Sequence, residues 1–149
     1  MDKKEKQALG KRSRKMGKDF EVRVRRDLEA SGWVVNRWSN DIDFDGDKLK
    51  PSKPKYFFDA KTGKMKMMGF QDGFPDFVCF KRINGNNKAR ENLYDVIGVE
   101  SKISGKLDKL EKEKCSWLLR NEVFSCILFT KRVKVGRRVC VKYFEFGVE

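Results

Sequence analysis

The sequence predicts an α/β domain in which helices flank a mixed central β-sheet. Apolar residues recur at helical spacing in two separate segments. Several short runs between and after these segments are rich in β-branched and aromatic residues, which is typical of strands. The length of 149 residues suits one domain, and a hydrophobic content of 39% is enough for a substantial core.

The first predicted helix covers residues 19–31, and a start within the preceding basic segment stays open as an alternative. Phe20, Val24 and Leu28 recur there every four residues, and Gly32 follows as a stop signal. One face of this helix is therefore expected to pack against the core.

Residues 1–18 differ from the rest of the chain, because they contain eight Lys or Arg against two acids. We expect this segment to be a flexible basic arm and residues 19–149 to form a single domain. The arm either contacts nucleic acid or is a solvated tail. Its candidate nucleic-acid contacts are Arg12, Arg14, Lys15 and Lys18.

Strands are predicted where short apolar runs are bounded by turn residues. Residues from about 40 to 71 are an insertion that begins with a polar segment and continues as a hairpin over 55–68. An Asn-Gly pair indicates a tight turn at 84–90, and a basic turn is expected at 131–137. The other predicted strands cover residues 33–39, 74–80, 95–102, 122–130 and 138–146.

A second helix is predicted over residues 105–120. Lys114 lies in the middle of its apolar stripe, where a purely structural helix would carry leucine. A buried stem whose ammonium reaches solvent explains this lysine as well as a functional role does. The other members of the stripe are Leu107, Leu110, Trp117 and Leu118.

The composition excludes several kinds of site. The chain has no histidine, so Ser-His and Cys-His triads and histidine-ligated zinc are excluded. None of its four cysteines has Cys-x-x-Cys spacing, and three of them (Cys79, Cys126 and Cys140) are expected to be buried thiols in strands. Any catalysis must therefore use carboxylates, lysines and oxygen-ligated metals.

The charge points to a polyanionic partner. The formal net charge is +13 and the isoelectric point is about 9.7, and nucleic acid is the commonest partner of such chains. No apolar run approaches the roughly 20 residues that span a bilayer. No apolar stretch follows the basic N-terminus as in a secretory signal, so we expect a soluble intracellular protein without membrane contact.

The strand predicted at 95–102 carries two charged residues. Side chains alternate along a strand, so Glu100 and Lys102 share one face with Val96 and Gly98. Burying these charges is costly unless they are paired or bind a metal. An ordinary ion pair at a strand end remains an alternative.

Two more acids occupy unusual positions. Asp76 lies among aromatic residues in the predicted strand at 74–80, where an unpaired carboxylate is expensive. Glu21 borders the apolar stripe of the first helix, although a capping or solvent-reaching role is common for such an acid.

Together these positions predict a cluster of three carboxylates and two lysines: Glu21, Asp76, Glu100, Lys102 and Lys114. Three carboxylates in one cleft repel each other unless a hard cation neutralises them, and oxygen ligands select Mg²⁺ or Mn²⁺. A lysine beside such a metal can orient or help deprotonate a water for attack on phosphorus.

Two motifs in this order resemble the PD-(D/E)xK nuclease superfamily, namely Gly73-Phe74-Pro75-Asp76 and then Glu100-Ser101-Lys102 in a strand. Residues 17–37 resemble the first helix and strand of archaeal Holliday-junction resolvases. Residues 68–77 look like the Gly-x-Pro-Asp region of VRR-NUC nucleases, and residues 105–118 are similar to the helix that follows the Glu-x-Lys strand.

The resemblance, which covers roughly residues 17–130, implies a restriction-endonuclease-like fold and a Mg²⁺ cofactor that Mn²⁺ replaces. It implies that Asp76, Glu100 and the Ser101 carbonyl bind the metal. By the same comparison, Glu21 completes the site directly or through water.

The resemblance also implies roles for the basic residues. Lys102 would position the attacking water and stabilise charge on the phosphorane, whereas Lys114, at a position where the family usually has Gln, would contact the scissile phosphate or water. Arg37 and Ser39 would touch phosphate. The insertion at 40–71 departs from the compact resolvases, so their junction specificity does not transfer directly.

The implied function is hydrolysis of DNA phosphodiesters, with branched DNA as the expected substrate. Resolvases of this kind are usually two-fold dimers, which makes a homodimer the implied assembly. Three alternatives stay open: a restriction-type or linear-duplex nuclease, a non-catalytic nucleic-acid-binding protein, and an RNA-binding protein that stacks bases on exposed aromatics. Against the last, we expect the aromatic residues to lie in the core.

Overall fold

A computed structural model describes residues 2–70, 73–83 and 93–148 of the chain. The helices are α1 (Lys3–Ala30) and α2 (Lys109–Arg120). The strands are β1 (Val34–Arg37), β2 (Asn40–Asp43), β3 (Lys48–Pro51), β4 (Pro54–Asp59), β5 (Lys64–Phe70), β6 (Phe77–Arg82), β7 (Tyr94–Glu100), β8 (Ile127–Val135) and β9 (Arg138–Glu145).

Within these residues, a five-stranded mixed sheet has the order β1-β6-β7-β8-β9. The β7–β8 pair is parallel and the other neighbouring pairs are antiparallel. Helix α2 connects the two parallel strands, as such a crossover requires. The strands β2–β3 and β4–β5 form two separate hairpins. The predicted α/β class with a mixed sheet is confirmed.

Helix α1 begins earlier than predicted. We expected a helix from Asp19 after a flexible arm, with a start inside the basic arm as the alternative. The alternative is correct, because the helix starts at Lys3 and runs through the basic segment without a break. The Asp2 N–H donates to Glu5 Oε2 at 2.9 Å, which closes the first turn. Lysine and arginine are good helix formers, and this explains how a polar segment continues an amphipathic helix.

The first core lies between α1 and one face of the sheet. Phe20, Val24 and Leu28 are buried there, as their spacing predicted. They pack in one cluster with residues of the central strands, among them Ile97 and Val99. The odd-numbered residues of β7 therefore face α1.

The second core lies between α2 and the opposite face of the sheet. Its helix residues are Cys115, Trp117 and Leu118. The helix begins at Lys109 instead of Gly105, because Asp108 caps it. Leu110, predicted in the apolar stripe, is 52% exposed, and Cys115 takes its place in the core.

The insertion contains two hairpins. The polar segment after β1 forms β2–β3, whose Ile42 is buried in the second core. The second hairpin, β4–β5, agrees with the prediction. Tyr56 and Phe58 on β4 are 57% and 64% exposed, so the expectation that the aromatics lie in the core is wrong for this hairpin.

Several strand boundaries differ from the predictions, and those of β6, β7 and β8 bear on the site and the turns. Strand β6 begins at Phe77, so Asp76 precedes it, and β7 ends at Glu100, so Lys102 follows it. Strand β8 continues through most of the predicted turn at 131–137, and the reversal occurs after Val135. The turn predicted at 84–90 lies outside the described residues.

Among the cysteines, Cys79 and Cys115 are fully buried, and burial raises the pKa of each thiol to about 12. Cys126 and Cys140 are half-buried, so the expectation of buried strand thiols holds fully only for Cys79. Neither described helix has both the length and the apolar character that crossing a membrane requires.

Gly98 on β7 makes room for the segment that leads into β6. A Cβ at this position would lie 2.8 Å from Pro75 Cγ and 3.1 Å from Phe124 Cδ2. Because Pro75 precedes Asp76 directly, the backbone at Gly98 sets where that aspartate lies.

We expect Gly98→Ala to lower the free energy of unfolding by about 1–3 kcal/mol, because the core must open around the added methyl group. Gly17→Ala is the matched control, since a Cβ there meets no atom within 4 Å and alanine is favoured in a helix. Urea unfolding measures both. Equal stability of the Gly98→Ala variant and the unchanged chain would contradict the tight contact with Pro75.

Candidate active site

Asp76 and Glu100 lie side by side because β6 and β7 are antiparallel. Phe77 pairs with Val99, which places the residue before β6 next to the last residue of β7. The Asp76 N–H donates to Glu100 Oε2 at 3.1 Å, and the Ser101 N–H donates to Asp76 Oδ2 at 2.8 Å. Each carboxylate thus accepts a backbone hydrogen bond from the segment that carries the other carboxylate.

Glu100 is the buried charged residue of this site, with 7% of its surface exposed. It lies on the same face of β7 as Val96 and Gly98, towards α2. Burial raises the pKa of Glu100 to about 8, the Asp76 carboxylate adds to the shift, and Lys102 opposes it. The metal-free site therefore holds Glu100 mainly protonated at neutral pH.

Lys102 is anchored by its backbone and paired at its ammonium. Its N–H donates to Thr130 Oγ1 at 2.9 Å, and the Thr130 hydroxyl donates to the Lys102 carbonyl at 3.2 Å. Its Nζ lies 3.3 Å from Glu100 Oε1 and donates to Glu111 Oε1.

The pKa of Lys102 is raised above its ordinary value. Burial alone lowers it, but the hydrogen bond to Glu111 and the charges of Glu100 and Glu111 outweigh burial. Lys102 is therefore a cation at neutral pH and does not accept a proton. Both actions predicted for Lys102, positioning the water and stabilising charge, are compatible with this state, whereas deprotonation of water by a lysine beside the metal is not.

Glu111 is a site residue that the sequence interpretation missed. Its Oε2 accepts from the Asp108 N–H at 2.8 Å, and Asp108 Oδ1 accepts from the Glu111 N–H at 2.8 Å. The Asp-x-x-Glu spacing is a capping-box signature, which could have placed Glu111 in the first turn of α2. This cap directs the glutamate towards Lys102.

Lys114 follows Glu111 by about one helical turn and faces the segment before β6. Its Nζ lies 2.7 Å from Asp41 Oδ1 and 5.5 Å from the centroid of the Phe74 ring. Asp41 belongs to β2 in the insertion, and it is a second residue that was missed. The sequence carries no local signal for this pair, because the two residues are distant in the chain.

Glu21 pairs with Arg37, and within the described residues no group of three acids that could hold a metal includes it. Its Oε2 lies 2.8 Å from Arg37 Nη2, and it belongs to α1, on the face of the sheet opposite Glu100. Arg37 pairs with Phe77 across the sheet, one residue from Asp76. A role for Glu21 at the metal stays a prediction.

The predicted nucleic-acid contacts lie on α1 and at the end of β1. Arg12 and Lys15 line a groove of about 420 Å³ together with Arg23 and Arg132. Lys18 lines a second groove, of about 270 Å³, with Glu21, Arg25 and Arg37. Arg14 Nε donates to the Gly10 carbonyl of its own helix at 3.2 Å, and the Ser39 carbonyl accepts from the Ser52 N–H at 2.8 Å.

No group of three acidic or cysteine side chains in the described ranges is arranged to hold a metal ion. The pair of Asp76 and Glu100 nevertheless fits Mg²⁺, which usually binds proteins through one or two carboxylates and completes its shell with water and phosphate oxygens. The two crossed hydrogen bonds fix the pair. Burial, together with the Asp76 carboxylate, raises the pKa of Glu100, so a cation bound beside the pair would favour its ionised form.

Comparison of the chain with protein-family models, with curated proteins and with solved structures found no match. Inferences about the site therefore rest on its own geometry and chemistry.

We predict that Glu100→Gln stabilises the metal-free protein at pH 8.5 but not at pH 5. The raised folded-state pKa means that ionising Glu100 costs stability, and this loss develops as the pH rises from about 4.5 to about 8. Gln is neutral throughout, so the gain should approach the order of 4 kcal/mol at the higher pH. Urea unfolding in EDTA measures it.

Glu113→Gln on the exposed side of α2 serves as the control for this experiment. If the free energies of unfolding of Glu100→Gln and of the unchanged chain differ by the same amount at both pH values, the burial of an ionisable Glu100 is contradicted.

Proposed function

We propose that the chain is a Mg²⁺-dependent endonuclease that hydrolyses DNA phosphodiesters on a restriction-endonuclease-like fold. The observation that carries this proposal is the arrangement of Asp76, Glu100 and Lys102. Two carboxylates interlocked beside one cationic lysine, in a chain of net charge +13, suit a metal and a phosphate.

The chain's own groups have separate tasks in this proposal. Asp76, Glu100 and the Ser101 carbonyl would hold the Mg²⁺, which supplies Lewis-acid polarisation of the scissile phosphate when bound. Lys102, as a cation, stabilises the negative charge that develops on the phosphorane oxygens. Glu111 is a positioning residue, because it holds the Lys102 ammonium beside Glu100.

Lys114 and Arg37 extend the site on either side of Asp76. Lys114 is half-buried and paired with Asp41, so phosphate binding there requires exchange of one anionic partner for another. Arg37 is more exposed and would contact a neighbouring phosphate while it keeps Glu21 close to the site.

The basic half of α1 is suited to hold the DNA backbone. Glu21 contacts Arg37 at the end of β1, and that end lies beside Asp76. The helix before Glu21 therefore continues past the edge of the sheet where the site lies. At 1.5 Å per residue, residues 3–18 add about 24 Å of helix that carries eight basic side chains.

The proposed substrate is branched DNA, cut inside the cell by a two-fold dimer that matches the symmetry of a junction. Restriction-type cleavage of linear duplex is the alternative on the same fold. A non-catalytic binder is less well supported, since buried carboxylates repel phosphate unless a cation lies between them.

We expect cleavage of labelled DNA in Mg²⁺ or Mn²⁺, none in EDTA, and a loss of at least a hundredfold in rate for Glu100→Gln. The substrates are a four-way junction, a flap, a single strand and a linear duplex. The matched control is Asp59→Asn, because Asp59-x-Lys61 repeats the Glu-x-Lys spacing in a hairpin turn away from the site.

The substrate ranking in this assay decides between the branched-DNA and linear-duplex alternatives. Tight binding of all four substrates, with no cleavage in either metal, would overturn the enzyme proposal and leave a binding protein.

The contribution of α1 to binding has its own test. The slope of log K, where K is the association constant, against log salt concentration should become less negative by about 2 to 3 when three basic residues that each contact one phosphate are neutralised. Fluorescence anisotropy with a duplex in EDTA measures this slope. The triple variant replaces Arg12, Lys15 and Lys18 with Gln.

The control variant removes as many positive charges from the exposed side of α2, at Lys109, Lys112 and Arg120. An equal change of slope in both triple variants would mean that total charge, and not the α1 surface, governs binding.

A further inference from the structure

The β4–β5 hairpin presents an apolar face to solvent. Cross-strand pairing joins Tyr56 to Met67 and Phe58 to Met65, and these alternate pairs place all four side chains on one face. Each of the four is between 56% and 64% exposed. We call these four residues the hairpin face. Buried large side chains are the rule, so a contiguous exposed set of this kind indicates a binding surface.

The surroundings of the hairpin face are strongly basic. Residues 53–68 contain five lysines and one acid, Asp59. Asp59 pairs with Lys66 at 2.5 Å, on the side of the hairpin that carries Phe57. The other lysines, Lys53, Lys55, Lys61 and Lys64, are exposed and form no ion pair within the described part of the chain. By the same alternation, Lys55 and Lys64 lie on the Phe57 side, Lys61 lies in the turn and Lys53 precedes β4. The unneutralised positive charge therefore lies at the two ends of the hairpin and on the side opposite the hairpin face.

We propose that the hairpin face binds single-stranded DNA, by stacking unpaired bases on Tyr56 and Phe58 while lysines at the two ends of the hairpin, Lys53 and Lys61, contact phosphates. Aromatic rings on a basic surface are the arrangement that holds single strands in proteins. The two rings are two residues apart on one strand, about 7 Å, which allows each ring to take a separate base.

Charge and size argue against a second copy of this chain as the occupant. Two hairpins of the same positive charge repel each other at close approach. A stable dimer interface uses roughly 20–30 residues on each side, whereas the hairpin face offers four. A polyanion with exposed apolar rings matches the positive charge of the hairpin and is small enough to cover its apolar face.

The preference for unpaired DNA follows from the stacking itself. In a duplex, the faces of the bases are covered by their neighbours, so Tyr56 and Phe58 have nothing to stack on. The lysines can contact either form. The hairpin face therefore adds affinity for single strands above the charge-driven binding of any DNA.

The test compares binding of a 20-nucleotide single strand with binding of the duplex of the same sequence, by fluorescence anisotropy in EDTA. We expect the double variant Tyr56→Ala/Phe58→Ala to bind the single strand at least tenfold more weakly, and to bind the duplex within twofold of the unchanged chain. Tyr56→Phe/Phe58→Tyr, which keeps both rings, should restore single-strand binding.

The matched control is Phe57→Ala, because Phe57 lies on the opposite side of the same strand, paired with Lys66. It should leave single-strand binding unchanged. An equal loss of single-strand affinity in Phe57→Ala and in the double variant would overturn the proposal. It would also be overturned if the double variant lost single-strand and duplex affinity equally.

Two further outcomes overturn the assignment to single-stranded DNA. Tighter binding of the same sequence as RNA would assign the surface to RNA. A dimer in sedimentation that the double variant disperses, without loss of single-strand binding, would assign it to a second copy.

The inference goes beyond the proposed nuclease activity, because binding is measured without metal. If no substrate is cleaved but single-strand binding depends on the hairpin face, the nuclease proposal fails and this one stands. If Glu100→Gln abolishes cleavage and the double variant binds single strands as tightly as the unchanged chain, the nuclease proposal stands and this one fails.

Discussion

The site depends on one pair of crossed hydrogen bonds between the start of β6 and the end of β7. The Asp76 N–H donates to the Glu100 carboxylate and the Ser101 N–H donates to the Asp76 carboxylate, so both acids are held where these two segments meet. The pair costs stability in the metal-free chain, because Glu100 is buried next to another acid and its pKa rises to about 8. In the proposed function, a bound cation would offset this cost.

Other parts of the chain converge on this pair from the α2 side of the sheet. The cap of α2 places Glu111 against Lys102, the first hairpin of the insertion brings Asp41 to Lys114, and Gly98 makes room for the proline before Asp76. The polar side chains of the site therefore come from elements that are far apart in the sequence. Helix α1 and the second hairpin add basic surface, and we assign these to duplex and single-stranded DNA respectively.

The sequence predicted what depends on local periodicity and not what depends on pairing between distant elements. The faces of the first helix and of β7 follow from alternation and helical spacing, so Val24 and Glu100 were placed correctly. Lys114 was assigned to the apolar stripe, but its partner Asp41 comes from a hairpin with no strong strand signal. The basic segment was expected to be flexible because its charges suggested solvation, although their helix propensity favours continuation of α1. The exposed aromatics of β4 were assigned to the core, since apolar composition alone does not distinguish a buried strand from a binding surface.

The most direct test of the central claim is calorimetric titration of the protein with Mn²⁺ at pH 7, in two buffers of different ionisation enthalpy. The dependence on buffer counts the protons released when the metal binds. Because Glu100 is mainly protonated in the metal-free site and binds metal as a carboxylate, the account predicts release of about one proton per Mn²⁺. It also predicts that Glu100→Gln abolishes binding and that Asp59→Asn leaves it intact. Binding that is unchanged in Glu100→Gln would contradict a metal site at Asp76 and Glu100, whereas binding that releases no proton would contradict the raised pKa of Glu100.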